Sequence, residues 1–363
     1  AEGEQEDEEA FELLGREEGL KARAAQHKRQ EAQHAEEKRQ LEREKAAHAR
    51  ALKRAQLEGQ SRFSKASERF LNGRYFLTRL LGRGGFSEVW AARDLKDPEG
   101  GLREVAVKVH QLNSAWSEDR KESYIKHATR EYTIHSAIDH PRVVRLWDVF
   151  EISSSAFATV LEFCAGPDLD HHLAAHQTIA EREAKSIIVQ VLQGLRYLNT
   201  PSGEGPDRRQ GIIHYDLKPG NILFDDRGEV KITDFGLSKI VEEEAEGTSM
   251  DLTSQGAGTY WYLPPECFQM GDRPPRISSK VDVWSVGVIF FQMLYGRRPF
   301  GEGQAPQQLL HSGALLRAGG EALAFPARPP VSEEGKAFVR LCLARAAADR
   351  PTVRELCRHP YLS

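Results

Sequence analysis

Hydrophobic positions are spread unevenly along the chain. Up to about residue 70 the sequence is largely charged, and regular apolar patterning begins near Tyr75. Between Leu20 and Glu58 there is no Pro or Gly, and Ala, Glu, Lys, Arg and Gln dominate, which predicts a charged helical arm over about 20–70. At ~1.5 Å per residue the Pro- and Gly-free part of that arm would extend about 58 Å. The best heptad seam runs through Leu20, Ala24, His27, Glu31, His34, Lys38, Leu41, Lys45, His48, Leu52 and Ala55, and fewer than half of these positions are apolar. The arm therefore reads as a solvated helix braced by pairs such as Glu36/Arg39 and Glu42/Lys45, or as a weak coiled coil. The acidic start, Glu2 to Glu12, predicts a disordered tail over 1–19.

Beyond the arm the pattern changes to short alternating runs. Tyr75–Leu81, a glycine turn from Gly82 to Ser87 and a return run to Ala92 read as strand, turn, strand. Val105–Val109 is a short strand that places Lys108 among apolar neighbours, and a helix follows through His127–His135. Trp116–Lys126 reads as a long charged connection between them. Val143–Val149 and Phe157–Phe163 are β-rich. Ile187, Ile188, Val191, Leu192, Leu195 and Leu198 recur at helical spacing over Ala184–Asn199, which marks core. Thr200–Gln210 is a polar, Gly/Pro-rich surface insertion. Beyond the arm, a strand-rich stretch with one helix, running to Phe163, is thus followed by a core helix, an α+β arrangement.

Composition narrows the function classes. The chain has 363 residues, 40% of them hydrophobic, and a formal net charge of -4, so it carries no generally basic surface and direct nucleic-acid binding is not expected. Cys164, Cys267, Cys342 and Cys357 lack any metal-ligand spacing and read as reduced intracellular thiols. No apolar run reaches the roughly 18 residues of a membrane span, and the acidic start is unlike a signal peptide.

The chemistry lies in His214-Tyr-Asp216-Leu-Lys218-Pro-Gly-Asn221 and Asp234-Phe-Gly236. This spacing resembles the catalytic core of eukaryotic protein kinases. There Asp216 would accept the proton of a substrate hydroxyl, and Asn221 and Asp234 would hold Mg2+ against the phosphates of ATP. Lys218 would neutralise the transferring phosphoryl group, as in Ser/Thr rather than Tyr kinases, with Thr259 bridging Asp216 and Lys218. Gly82 and Gly84 let the backbone approach phosphates, and Ser87 stands where a third glycine is usual. A lone Lys among apolar residues needs an anionic partner. In a kinase Lys108 meets the α/β-phosphates and pairs with Glu131. Glu162-Phe163-Cys164 would form the hinge at the adenine, with Leu161 controlling the pocket behind it. Val89, Ala106 and Leu223 would sandwich the ring. Asp168 reads equally as a ribose contact and as a helix N-cap. Tyr215 occupies a position where many kinases carry an Arg that binds a phosphorylated activation-loop residue, a pairing a tyrosine cannot make. Glu266 is expected to pair with Arg350, and Asp282 to tie down the catalytic-loop backbone.

Longer runs narrow the resemblance. Gly82-Arg-Gly-Gly-Phe-Ser-Glu-Val89, Val109-His-Gln-Leu-Asn113, His214–Asn221 with its Tyr, and Leu252-Thr-Ser-Gln-Gly-Ala-Gly-Thr-Tyr-Trp-Tyr-Leu-Pro-Pro-Glu-Cys267 are similar to the Tousled-like kinases. The resemblance covers about 74–361 and implies a bilobal kinase fold. Its β-rich N-lobe would span about 74–161, the hinge 162–168, and the mostly α-helical C-lobe 169–361. It also implies a nuclear, chromatin-associated protein Ser/Thr kinase that acts on histone chaperones and forms a homodimer through upstream helices. A catalytically silent scaffold is the rival class, and it is disfavoured because Lys108, Asp216, Asn221 and Asp234 are all present.

Overall fold

The computed structural model describes residues 2–84, 87–97, 100–112, 116–202, 209–235, 238–240, 260–268 and 278–363, in two units, Ala1–Ser64 and Lys65–Ser363. The first unit is dominated by helix α1 (Glu2–Gly59), whose described side chains from Phe11 to Gln56 are exposed. The disordered tail expected over 1–19 is therefore replaced by helix. Its Glu, Ala and Leu content favours helix, and Gly15 and Gly19, at ~1 kcal/mol each relative to Ala, do not outweigh it. The helix ends at Gly59 rather than near residue 70.

In the second unit six antiparallel strands form one sheet, in the order β1 (Phe70–Leu71), β2 (Tyr75–Arg83), β3 (Ser87–Asp94), β4 (Arg103–Gln111), β6 (Ala156–Glu162), β5 (Leu146–Ser153). Residues directly opposite one another share a face. Val89 opposes Lys108, Lys108 opposes Thr159, and Ala106 opposes Leu161. Because side chains alternate along a strand, Ala106 and Lys108 also point the same way, so one sheet face presents Val89, Ala106, Lys108 and Leu161 together.

Helix α2 spans Glu118–Ser136, so most of the charged stretch read as a connection is helical. Ser117 precedes it and Glu118 and Asp119 occupy its first turn, where carboxylates favour the helix dipole. Glu118, Asp119 and Glu122 are exposed, and charges like these mimic a loop in the hydrophobic pattern.

The remaining helices build the second layer. They are α3 (Leu169–His176), α4 (Glu181–Asn199), α5 (Lys280–Tyr295), α6 (Pro306–His311), α7 (Glu333–Cys342) and α8 (Val353–Leu356). α5 is apolar on every side and buried along nearly its whole length, as a central core helix must be. α4 buries the six apolar residues that its periodicity singles out. The short strands β7 (Ile212–Ile213), β8 (Ile222–Phe224), β9 (Val230–Ile232) and β10 (Lys239–Ile240) pair as β7 with β10 and β8 with β9. The first pair flanks the catalytic-loop sequence and the second supplies the floor below the sheet. This is the bilobal kinase architecture, with a β-rich N-lobe and a helical C-lobe. No helix among the described residues is long and apolar enough to cross a membrane.

Candidate active site

A cavity of about 440 Å³ lies between the six-stranded sheet and β8. Leu81, Gly82, Val89, Ala106 and Leu161 line its sheet side, Leu223 its floor, and Glu162, Phe163 and Cys164 its hinge edge. Lys108, Asn221 and Asp234 close its inner end, and Asp168 stands at the hinge side. Gly84 donates its N–H to Ser87 O at 2.7 Å, closing the glycine turn; the Gly85-Phe86 pair lies outside the described residues.

The hinge is fixed from behind. Glu162 accepts hydrogen bonds from Lys231 Nζ and, at 3.1 Å, from Arg145 N. Gly166 donates its N–H to Phe224 O at 3.0 Å, and a Cβ on Gly166 would meet that oxygen at 2.8 Å, so a residue with no side chain is needed for this approach. Burial pushes the Cys164 thiol up to about 12, which leaves it protonated and a poor nucleophile at neutral pH.

At the inner end Lys108 Nζ lies 3.3 Å from Asp234 Oδ1. Lys108, aided by Lys218 and His214, holds the Asp234 carboxyl well below the usual carboxylate range against the opposing effect of burial. Glu131 is carried on α2, but its side chain, like Thr259, lies outside the described residues. The anionic partner described for Lys108 is therefore Asp234.

Asp216 does not line the cavity, and three hydrogen bonds from two residues orient it beside Asn221, which does. Lys218 Nζ donates to Asp216 Oδ2 at 2.7 Å, Asn221 Nδ2 donates to the same oxygen at 3.2 Å, and Asn221 Nδ2 also bonds the Asp216 carbonyl at 2.8 Å. The other carboxylate oxygen, Oδ1, is buried and has no hydrogen-bond partner among the described residues. A buried acceptor in that condition costs about 1–3 kcal/mol unless a donor reaches it, so it fits an incoming hydroxyl.

The loop that carries Asp216 is held in a costly conformation. Tyr215 has φ +69°, unusual for a bulky residue, and so does Asp234. Asp282 stabilises the first of these by accepting the His214 and Tyr215 N–H groups at 3.0 and 2.9 Å. Burial raises the Asp282 pKa, while His214 and these two N–H groups pull it down. Asp282→Asn, whose amide has a single acceptor oxygen, is expected to leave one loop N–H unpaired and to lower kcat at least tenfold while ADP affinity stays within a few fold. Parallel turnover assays and ADP titrations would check this; unchanged kcat would remove Asp282 from the loop's support. Tyr215 is buried, its hydroxyl donating to Cys267 Sγ at 3.5 Å, and Phe235 packs between His135 and His214 at ring separations of 4.8 and 5.3 Å.

The sequence reading did not pick out several cavity residues, among them His135, Val144, Gly166, His171 and Thr233. His171 left a usable signal, since it sits three residues after Asp168 at the start of a helix. His135 lies one helical turn beyond Glu131, the residue expected to meet Lys108, and that spacing could have suggested it as a cavity residue.

Known proteins agree with this arrangement. The family described as protein kinase domain matches residues 75–362. The chain is 52% identical over 350 residues to the serine/threonine-protein kinase tousled-like 1 of Mus musculus, covering 95% of this chain and 44% of that protein. It is 50% identical over 344 residues to the serine/threonine-protein kinase TOUSLED of Arabidopsis thaliana, covering 94% and 48%. It is 47% identical over 328 residues to a tousled-like 1 kinase of Caenorhabditis elegans, covering 89% and 32%. The chain thus spans less than half the length of these curated relatives.

Proposed function

We propose, from the premise that this chain belongs to the protein kinase family and is similar over nearly its whole length to Tousled-like serine/threonine kinases, that it transfers the γ-phosphoryl group of ATP to protein serine and threonine hydroxyls. The observation that carries this reading is the Asp216 carboxylate, with one oxygen held by Lys218 and Asn221 and the other buried without a described partner. Asp216 accepts the substrate hydroxyl proton, and Lys218, 2.7 Å away, stabilises charge on the transferring group. Lys108 positions the nucleotide phosphates, and Thr259 is assigned to bridge Asp216 and Lys218. Val89, Ala106 and Leu223 enclose the adenine. Asn221 and Asp234 offer an amide oxygen and a carboxylate held ionised, the hard oxygen donors that Mg2+ takes. Bound there, the ion would supply charge neutralisation on the phosphates.

The finer reading follows the resemblance: a nuclear kinase of chromatin assembly that acts on histone chaperones and pairs through helices upstream. Labelled ATP incubated with a histone chaperone and this chain, with Asp234→Asn in parallel, tests both levels. Transfer by wild type alone supports enzyme and substrate class. Transfer only to a generic basic protein keeps the kinase and rejects the chaperone. Silence on both would refute catalysis by this chain.

A further inference from the structure

The polar insertion at 200–210 does more than connect α4 to the catalytic loop. Its described ends, 200–202 and 209–210, are pinched together, because Ser202 and Arg209 exchange both backbone hydrogen bonds, at 3.0 and 2.7 Å. From there the Arg209 guanidinium reaches the last turn of α4, where a helix leaves its carbonyls without partners. It donates to Tyr197 O at 2.6 Å, to Leu198 O at 3.3 Å and to Thr200 O at 2.6 Å. Its charge suits the negative end of the helix dipole. It also lies over the Tyr197 ring, 4.2 Å from the centroid.

Tyr197 in turn grips the segment at 139–144, which lies between α2 and β5. Its hydroxyl accepts the Asp139 N–H at 3.0 Å, and the His140 ring stacks on it with 4.6 Å between centroids. One helical turn earlier on α4, Gln193 accepts from Arg142 Nε at 3.2 Å. Between these two grips sits Gly194, where a Cβ would meet Ile232 Cδ1 at 2.8 Å and Arg142 O at 3.2 Å, so only a residue without a side chain allows this approach. The segment and β9 also share backbone bonds. Ile232 N–H donates to Arg142 O and Val144 N–H donates to Ile232 O, both at 2.9 Å. Asp234 follows Ile232 by two residues. Contacts thus run without a break from the insertion to the strand that leads into Asp234.

We propose that Arg209, carried by the insertion, is a positioning residue for phosphoryl transfer: by gripping the end of α4 and the Tyr197 ring it holds the 139–144 segment, and through that segment it sets the placement of β9 and of Asp234 beyond it. The proposal rests on the reading that this chain is an ATP-dependent kinase. A capping role alone makes a different prediction. A cap stabilises α4, but the Asp139 N–H would be as well protected without Arg209 as with it, and the rate would not change below the melting transition.

The test compares the full chain with Arg209→Ala, Tyr197→Phe and the double variant. Residue-resolved amide exchange, well below the melting transition, is read beside steady-state transfer from labelled ATP to a generic basic protein. Tyr197→Phe keeps the ring and the α4 carbonyls that Arg209 caps, and removes only the hydroxyl that Asp139 uses. Arg209→Ala is expected to speed exchange at Asp139 by about tenfold and to lower kcat by about three- to tenfold, with the KM for ATP kept within about twofold. Because both residues act through one contact, the double variant should exchange at Asp139 no faster than Tyr197→Phe, within about twofold. Unchanged exchange at Asp139 in Arg209→Ala, with a lower melting temperature, would reduce Arg209 to a helix cap and overturn the proposal. Full additivity in the double variant would overturn it too. Should Arg209→Ala not fold, Tyr197→Phe decides alone, and an unchanged kcat in that variant sinks the idea. If wild type transfers no phosphate, the kinase reading fails and the proposal falls with it; if wild type and Arg209→Ala transfer at the same rate, only the proposal fails.

Discussion

Asp216→Ala is expected to lower kcat for phosphoryl transfer by about 10³-fold or more while leaving nucleotide affinity within a few fold. Loss of a positioned general base typically costs about 10²–10⁴-fold, and here the same carboxylate also orients Lys218. Affinity should survive because Asp216 does not line the cavity. Asn221 also keeps its second anchor, the Asp216 carbonyl at 2.8 Å, which an alanine still provides, so the Asn221 amide stays in place. Single-turnover transfer of labelled phosphate and an ADP titration on the same preparation separate the two effects. Undiminished turnover would refute the assignment of Asp216. A fall in affinity that matched the fall in rate would mean that Asp216 holds the nucleotide rather than the hydroxyl.

Residues whose partners lie close by in the chain are legible from the sequence itself. Asp216, Lys218 and Asn221 stand within six positions and their mutual bonds are local, so spacing alone conveys the constellation. The sheet face was equally readable, because Ala106 and Lys108 differ by two positions on one strand. Distant supports came through the family resemblance where they came at all: the Glu266–Arg350 pair and the hold of Asp282 on the catalytic loop were expected and are present, while others left no signal. Lys231 reaches Glu162 across 69 positions to brace the hinge, and nothing in either local sequence marks that pairing. The start of α2 and the first turns of α1 were misread for another reason. Both are rich in charged residues, and a helix with no apolar stripe gives the hydrophobic pattern no period to follow. Asp168 read equally as cap and as ligand. The structure makes it the cap of α3 and places it in the cavity wall, two roles that one carboxylate can fill with different lone pairs.

Arg350→Ala should be the most destabilising single change in the C-lobe, lowering stability by about 3–5 kcal/mol and the melting temperature by roughly 10 °C. Arg350 is 1% exposed, and its five N–H groups match five acceptors. Two go to Glu266 at 2.7 and 2.8 Å, and three go to the carbonyls of Ala344, Lys280 and Arg345. The guanidinium also lies over the Trp284 ring, 4.9 Å from its centroid. Truncation removes all of this at once, and it leaves the Glu266 carboxylate mostly buried without its cation. Arg350→Lys should recover only a minor part, since an ammonium cannot reproduce the planar fork. The penalty for an orphaned charge can be separated from the worth of the pair by adding Glu266→Gln. If the orphan dominates, Arg350→Ala with Glu266→Gln will be less destabilised than the sum of the single variants, by about 1 kcal/mol or more. Calorimetry on the four proteins decides it, and a melting temperature within about 2 °C of wild type for Arg350→Ala would show that the lobe does not depend on this pair. Catalysis should weaken as well, below the melting transition. Glu266 adjoins Cys267, which receives the Tyr215 hydroxyl from the residue preceding Asp216, so loosening the pair reaches the proposed base through two contacts.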